Sequence, residues 1–217
     1  MGVSKKQIES LVGFRINDEK LYQRAFTHKS ATSLLDSYET LEFIGDSVIS
    51  FIVTKYLYDT YQTEQEGFLT KARTRVVRGK TLAQVAKRLG LDEFIEMDEK
   101  GLRNKWNSNP KILEDVYEAL VGAVYLDVGL LYAREFVLRT LDIQNMSLED
   151  DNYKDQLMRW CQSSKKNLPV YSYTHTKAGD FSAAVEIDGV VMAMGFGKTK
   201  KDAEQNAAEC VFREILR

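Results

Sequence analysis

The sequence predicts an all-α domain followed by a small α+β module of order α-β-β-β-α. Three observations carry that reading. Apolar residues keep a helical spacing almost unbroken from residue 5 to about residue 142, with no alternating strand pattern of useful length. The period then shortens to two over residues 170–174, 181–187 and 190–196. The last two stretches are joined by Asp188-Gly189, a strong two-residue hairpin signal, and helical spacing returns from Lys200 to Leu216.

Within the helical part, Gly13, Gly67, Gly79, Gly90, Gly101, Pro110 and Gly129 punctuate a run of separate segments. Two of these segments are unusual. In Tyr38-Glu39-Thr40-Leu41-Glu42-Phe43-Ile44-Gly45-Asp46-Ser47, steps of three and four place Glu39, Glu42 and Asp46 on one helix face. In Ile112-Leu113-Glu114-Asp115-Val116-Tyr117-Glu118-Ala119-Leu120, a step of three does the same for Asp115 and Glu118. An isolated acidic pair on a helix is usually a solvated face. Both segments here are otherwise apolar (Leu41, Phe43, Ile44, Val48 and Ile49; Val116, Leu120, Val121 and Val124), as helices packed inside a domain are. Carboxylates on packed helices repel and resist desolvation unless a positive charge sits among them, and a hard divalent cation suits oxygen ligands.

Residues 147–152 are short, acidic and polar and read as a linker between a first domain, 1–146, and a second, 153–217. The second opens on a helix from Tyr153 to about Ser163 and closes on one whose start, Gly197-Lys198-Thr199-Lys200-Lys201-Asp202, suits an N-cap at Thr199. Free backbone N–H groups and lysines then meet at one helix end, a place for phosphate; the alternative is an ordinary capped helix with solvated lysines.

Composition narrows the function class. The 217 residues carry 30 Lys and Arg against 32 Asp and Glu, a net charge of −2, which argues against indiscriminate coating of nucleic acid. Basic patches are local: Lys71, Arg73, Arg75, Arg78, Lys80, Lys87 and Arg88 form an acid-free stretch, and Lys198, Lys200 and Lys201 another. Two histidines, His28 and His175, make a histidine-based metal site or catalytic triad improbable. Two cysteines, Cys161 and Cys210, show neither zinc spacing nor a disulfide framework and suit a reducing compartment. With no apolar run near the ~18 residues a bilayer needs and no signal-like start, an intracellular, cytoplasmic protein without a membrane partner is expected.

Leu41-Glu42-Phe43-Ile44-Gly45-Asp46-Ser47-Val48 resembles the signature of the ribonuclease III family. The run from Ile112 to Asp127 resembles that family's second acidic helix, and Ala25-Phe26-Thr27-His28-Lys29-Ser30 its early Thr-His-Arg/Lys-Ser stretch. Gly197 to Ala208 resembles the last-helix signature of a double-stranded-RNA-binding domain. The likeness covers essentially the whole chain. It implies an all-α endonuclease domain followed by the RNA-binding module. The implied reaction is hydrolysis of double-stranded RNA that leaves 5′-phosphates and short 3′ overhangs, in RNA processing or degradation.

The catalytic and metal-holding residues it implies are Glu42, Asp46, Asp115 and Glu118, with Mg²⁺ as the cofactor and Mn²⁺ as a substitute. Glu39 and Glu66 resemble further acidic positions that would contact RNA or a second ion, or form salt bridges. Lys111 would orient a carboxylate or a phosphate, and Gly45 would admit phosphate or a neighbouring helix, or simply pack. The partners implied are double-stranded RNA and a second copy of the first domain, since one site cuts one strand. Val48, Phe51, Ile52, Tyr56 and Leu57 could serve that interface or the core, with core the default.

RNA contacts are expected from Lys198, Thr199, Lys200 and Lys201, and from Lys154 and Met158 on the first helix of the module. Met158 and Arg159 depart from a Gln-Glu pair common in such modules, and the loop 174–180 is short and lacks the usual Gly-Pro-x-His. His175 is either a substitute contact or a strand-end residue. Two rival functions remain open on sequence alone. One is a catalytically silent RNA-binding relative, disfavoured because all four acids are present. The other is a helical phosphohydrolase of small nucleotides, disfavoured by the shortage of histidines and the attached module.

Overall fold

The computed structural model describes residues 3–146, 152–176 and 179–215, which fall into two compact units, Met1–Leu148 and Glu149–Arg217. The expected linker lies outside the described residues except for Asn152, as do the loop residues Lys177 and Ala178.

The first unit consists of α1 (Lys5–Val12), α2 (Glu19–Ala25), α3 (Glu39–Thr60), α4 (Glu66–Val76), α5 (Gly79–Arg88), α6 (Glu99–Arg103), α7 (Pro110–Val128) and α8 (Leu130–Leu141), joined by turns and short 3₁₀ segments. α7 is its axis. Nearly every residue from Leu113 to Val124 is buried, so other helices pack round this helix on most of its circumference, its acidic face included. It begins where local chemistry dictates: the Asn109 side chain accepts from the Lys111 N–H at 2.9 Å, and Pro110 occupies the first turn, where its missing N–H costs nothing. It ends at Gly129, whose φ of 89° only glycine adopts freely.

α3 and α7 meet at two glycines. A methyl built on Gly45 would lie well under 3.0 Å from the Glu118 carbonyl oxygen, and one on Gly122 would likewise overlap the Leu41 carbonyl oxygen. The backbones therefore touch, and the acidic face of each helix is brought against that of the other. The expectation that Gly45 lets a neighbouring helix approach is what the structure shows.

The second unit is α9 (Tyr153–Ser163), an antiparallel sheet of β1 (Val170–His175), β2 (Phe181–Ile187) and β3 (Val190–Gly197) in the order β1-β2-β3, and α10 (Lys200–Ile215). Asp188 at φ 54° and Gly189 at φ 80° make the tight turn of the β2–β3 hairpin. Leu157, Cys161, Ala183, Val185, Ile187, Ala203, Ala207, Ala208 and Val211 form its core beneath both helices. His175 ends β1 and packs on Phe181, ring centroids 4.6 Å apart, as a strand-end residue does. Among the described residues no helix is long and apolar enough to cross a membrane.

Candidate active site and nucleic-acid interface

The glycine contact places Glu42 and Asp46 of α3 opposite Asp115 and Glu118 of α7, around a cavity of about 690 Å³. Carboxylate oxygens of Glu42, Asp115 and Glu118 lie within 4.8 Å of one another, and Asp46 lines the same cavity from an exposed position. Asp115 and Glu118 are only 8% and 6% exposed, so the cluster sits at the edge of the core rather than on open surface.

Charge there is unbalanced. Glu39 and Glu114 also line the cavity, while its cations are Lys29 and Lys111. Lys111 reaches Asp115 at 2.7 Å and Glu114 at 3.4 Å, and Lys29 holds Glu39 at 2.8 Å. Burial, and then the neighbouring Asp46, push Glu118 up to about 8. Burial, and then Asp115, push Glu42 up to about 6. Both protonate far more readily than a free carboxyl because buried negative charges cannot easily coexist. The donors are all oxygen, close enough to share one ion, and short of positive charge. That is a fit for a hard divalent cation such as Mg²⁺ or Mn²⁺, with Glu42, Asp115, Glu118 and Asp46 as the residues that would hold it.

Supporting residues come from the Thr27-His28-Lys29-Ser30 turn. His28 is buried. Its Nδ1 accepts from the Ser30 N–H at 3.1 Å, the Ser30 hydroxyl oxygen accepts from the Asp98 N–H at 3.1 Å, and the ring stands 5.8 Å from Tyr38. Burial, and then Lys29, hold the imidazole below its usual value, which favours the neutral ring that props this turn. The Thr27 carbonyl accepts from the Tyr38 N–H at 2.9 Å, which fixes the entry to α3. Burial, and then Asp115 with Glu42 close by, raise the Tyr38 hydroxyl well above its usual value, so it stays a neutral donor beside these acids. Tyr38, Lys29 and Glu114 were not singled out as site residues from sequence, although each adjoins a motif residue.

Glu66 stands apart from this cavity. It opens α4, accepts from the Thr70 hydroxyl at 2.8 Å and lines a separate small hollow with Tyr58 and Arg73. Of the basic stretch, Lys87 is paired with Asp92 and Arg88 with the Thr140 carbonyl, so those two serve the fold. Phe43, expected to be packed, is instead 79% exposed at the cavity lip.

In the second unit Thr199 caps α10: its hydroxyl oxygen accepts from the Asp202 N–H at 3.1 Å and its O–H donates to the Asp202 carboxylate at 2.8 Å. Lys198, Lys200 and Lys201 are exposed beside that helix start. Met158, 38% exposed, shares a groove with Lys154, Lys200 and Lys201, so α9 and α10 present one face. Lys154 is not free on that face, being paired with Glu204. Arg159 is paired with Asp155 at 2.6 Å.

A Ribonuclease-III-like family model matches residues 18–143, more than half of the chain. The chain belongs to the ribonuclease III family. Residues 153–215 match the double-stranded RNA binding motif. Ribonuclease 3 of Mesoplasma florum is 32% identical over 91% of this chain and 91% of its own length. A protein of Paramecium bursaria Chlorella virus 1 is 41% identical over 95% of this chain and 77% of its own. The nuclease domain of ribonuclease III from Campylobacter jejuni superposes with a TM-score of 0.61 at 33% identity, covering 64% of this chain and 96% of that one. This ribonuclease III-family chain is therefore an endoribonuclease for double-stranded RNA, its helical unit the nuclease and its α-β-β-β-α unit the RNA-binding module.

Proposed function

We propose that the chain cuts double-stranded RNA by Mg²⁺-dependent hydrolysis, leaving 5′-phosphates and short 3′ overhangs, in cytoplasmic RNA processing or degradation. The observation that carries this reading is the convergence of Glu42, Asp115 and Glu118 within 4.8 Å, with Asp46 beside them, in a chain that also carries a duplex-RNA module. Residues 1–146 are read as the catalytic domain, 153–217 as the binding domain and 147–152 as the link.

The ion, when bound by these four carboxylates, supplies positive charge for phosphodiester hydrolysis. The chain's own residues do the rest. Glu42 and Glu118 must be ionised to hold a cation, so affinity for it rises with pH through their raised values. Lys111, bonded to Asp115 at 2.7 Å, steers that carboxylate, and Lys29 keeps Glu39 at the rim. Long duplex RNA incubated with the full chain is expected to be cut with Mg²⁺ and left intact in EDTA; efficient cutting in EDTA would refute the metal assignment.

Two strands need two sites, and α3 supports a homodimer. Phe43, Phe51 and Tyr58, spaced by eight and seven residues, lie on one face and are all largely exposed, whereas Val48, Ile52 and Leu57 are core. The full chain is expected to sediment as a dimer at micromolar concentration, and Phe51→Glu to shift it to monomer with loss of paired cuts. A monomeric unsubstituted protein that still makes paired cuts would rule this out.

On the small unit, Lys198, Lys200 and Lys201 are read as phosphate contacts, with Thr199 fixing the helix end that presents them and Met158 facing the minor groove. Replacing all three lysines by alanine should weaken binding to every duplex RNA alike and flatten its salt dependence by up to about 0.9 per lysine in log–log slope. An unchanged slope would remove these lysines from the interface.

A further inference from the structure

Lys154 lines the α9–α10 groove of about 730 Å³ together with Met158, Tyr171, Lys200, Lys201 and Glu204. Its ammonium is already occupied. It forms an ion pair with Glu204 and stands 5.0 Å from the centroid of the Tyr171 ring. The same carboxylate accepts from the Tyr173 hydroxyl, and Lys200 lies over the Tyr173 ring, 5.2 Å from its centroid. Backbone geometry reinforces the clasp: the Lys154 N–H donates to Gln205 Oε1 at 3.2 Å, and Gln205 Nε2 donates to Asn152 Oδ1 at 2.8 Å. Glu204 keeps only 13% of its side-chain surface in solvent and Lys154 32%, so water screens this pair less than an open surface pair.

A carboxylate and a phosphate oxygen compete for the same ammonium, because both are anionic acceptors of charge-assisted hydrogen bonds. Glu204 stands one turn into α10, among the lysines that a duplex backbone would approach. We propose that Glu204 is an internal counter-anion that restrains duplex-RNA binding by holding Lys154 away from phosphate. The proposal rests on the reading of the small unit as a duplex-RNA binder. In the resting protein Lys154 contributes little to affinity, and the carboxylate repels any phosphate that enters the groove. Removing the charge at position 204 both ends that repulsion and releases a lysine to the backbone.

The test is a titration of duplex RNA against the full chain in EDTA, at salt from about 50 to 200 mM, where phosphate contacts register most strongly. Four proteins are compared: the unsubstituted chain, Glu204→Gln, Lys154→Ala and the double variant. Glu204→Gln should bind roughly three- to tenfold tighter at the lowest salt, with a log–log slope steeper by about 0.9, the signature of one added phosphate contact. Lys154→Ala alone should change affinity less than about twofold, and in the Glu204→Gln background it should restore the original slope. Glu204→Asp keeps the charge and should keep the original slope even if its melting temperature falls, which separates the electrostatic role from a merely structural one. An unchanged slope in Glu204→Gln, or a steeper slope that survives Lys154→Ala, overturns the proposal while leaving the small unit an RNA binder. Failure of the unsubstituted chain to bind duplex RNA at all overturns the reading of that unit, and the proposal with it.

Discussion

Glu118→Gln is expected to reduce cleavage by at least about two orders of magnitude while leaving duplex binding within about twofold. The amide keeps the shape and one acceptor oxygen of the Glu118 side chain, but removes a charge from the centre of the acidic cluster, where oxygens of Glu42 and Asp115 lie within 4.8 Å. Lys198, Lys200 and Lys201, proposed above as the phosphate contacts, belong to the second unit, and the substitution leaves them unaltered.

The same substitution has the opposite sign on stability when no divalent cation is present. Glu118 is pushed up to about 8 from an ordinary 4.5 by burial and by Asp46, so the folded protein holds this proton more tightly than the unfolded chain does. Stability is therefore fully present below the unfolded value and is lost as pH rises from about 4.5 towards 8. Each unit of displacement corresponds to about 1.4 kcal/mol, so in EDTA at pH 8 the buried charge costs on the order of a few kcal/mol. The substituted amide has no proton to lose. Urea denaturation in EDTA should show the variant more stable than the unsubstituted protein at pH 8 and nearly equal to it at pH 5. Added Mg²⁺ should then stabilise the unsubstituted protein and not the variant. A variant that cuts normally would show that Glu118 does not hold the ion, and one that is less stable at pH 8 in EDTA would show that its buried charge carries no cost.

What was legible in the sequence is what periodicity and local turn chemistry encode. The spacing of Glu39, Glu42 and Asp46 and of Asp115 and Glu118 already placed these acids on helix faces, and the change of period at 170 announced the sheet. Asp188-Gly189 required a left-handed turn, and the structure has φ of 54° and 80° there. What was not legible is partnership across distance. Nothing near Lys154 reveals that Glu204, fifty residues on, has claimed it. Nothing in the sequence marks Tyr38 for the site, because its place beside Asp115 depends on a turn propped by His28 and Ser30. Phe43 read as core because helical spacing cannot tell an apolar residue turned to the interior from one turned to solvent.

Gly45→Ala is expected to destabilise the protein and to disarm the site together. Helix propensity alone predicts a gain of about 1 kcal/mol for replacing an interior helical glycine by alanine. The packing predicts a loss, because the new methyl would overlap the Glu118 carbonyl oxygen and carbon and crowd the Gly122 nitrogen. These are backbone atoms of a helix buried along its length, so no side chain can rotate out of the way and α3 must move off α7. Overpacking of this kind costs about 1–3 kcal/mol and occasionally more, enough to reverse the propensity gain. Movement of α3 also carries Glu42 and Asp46 away from Asp115 and Glu118, so divalent-ion binding should weaken and cleavage fall by about tenfold or more, as ligand misplacement does. Gly67→Ala supplies the control, because a methyl on that exposed glycine of α4 meets nothing within 4 Å. That variant should melt at or slightly above the unsubstituted temperature and cut at the normal rate. If Gly45→Ala behaves like Gly67→Ala in both melting and cleavage, the two acidic helices are not held in backbone contact, and the geometry that gathers the carboxylates has another cause.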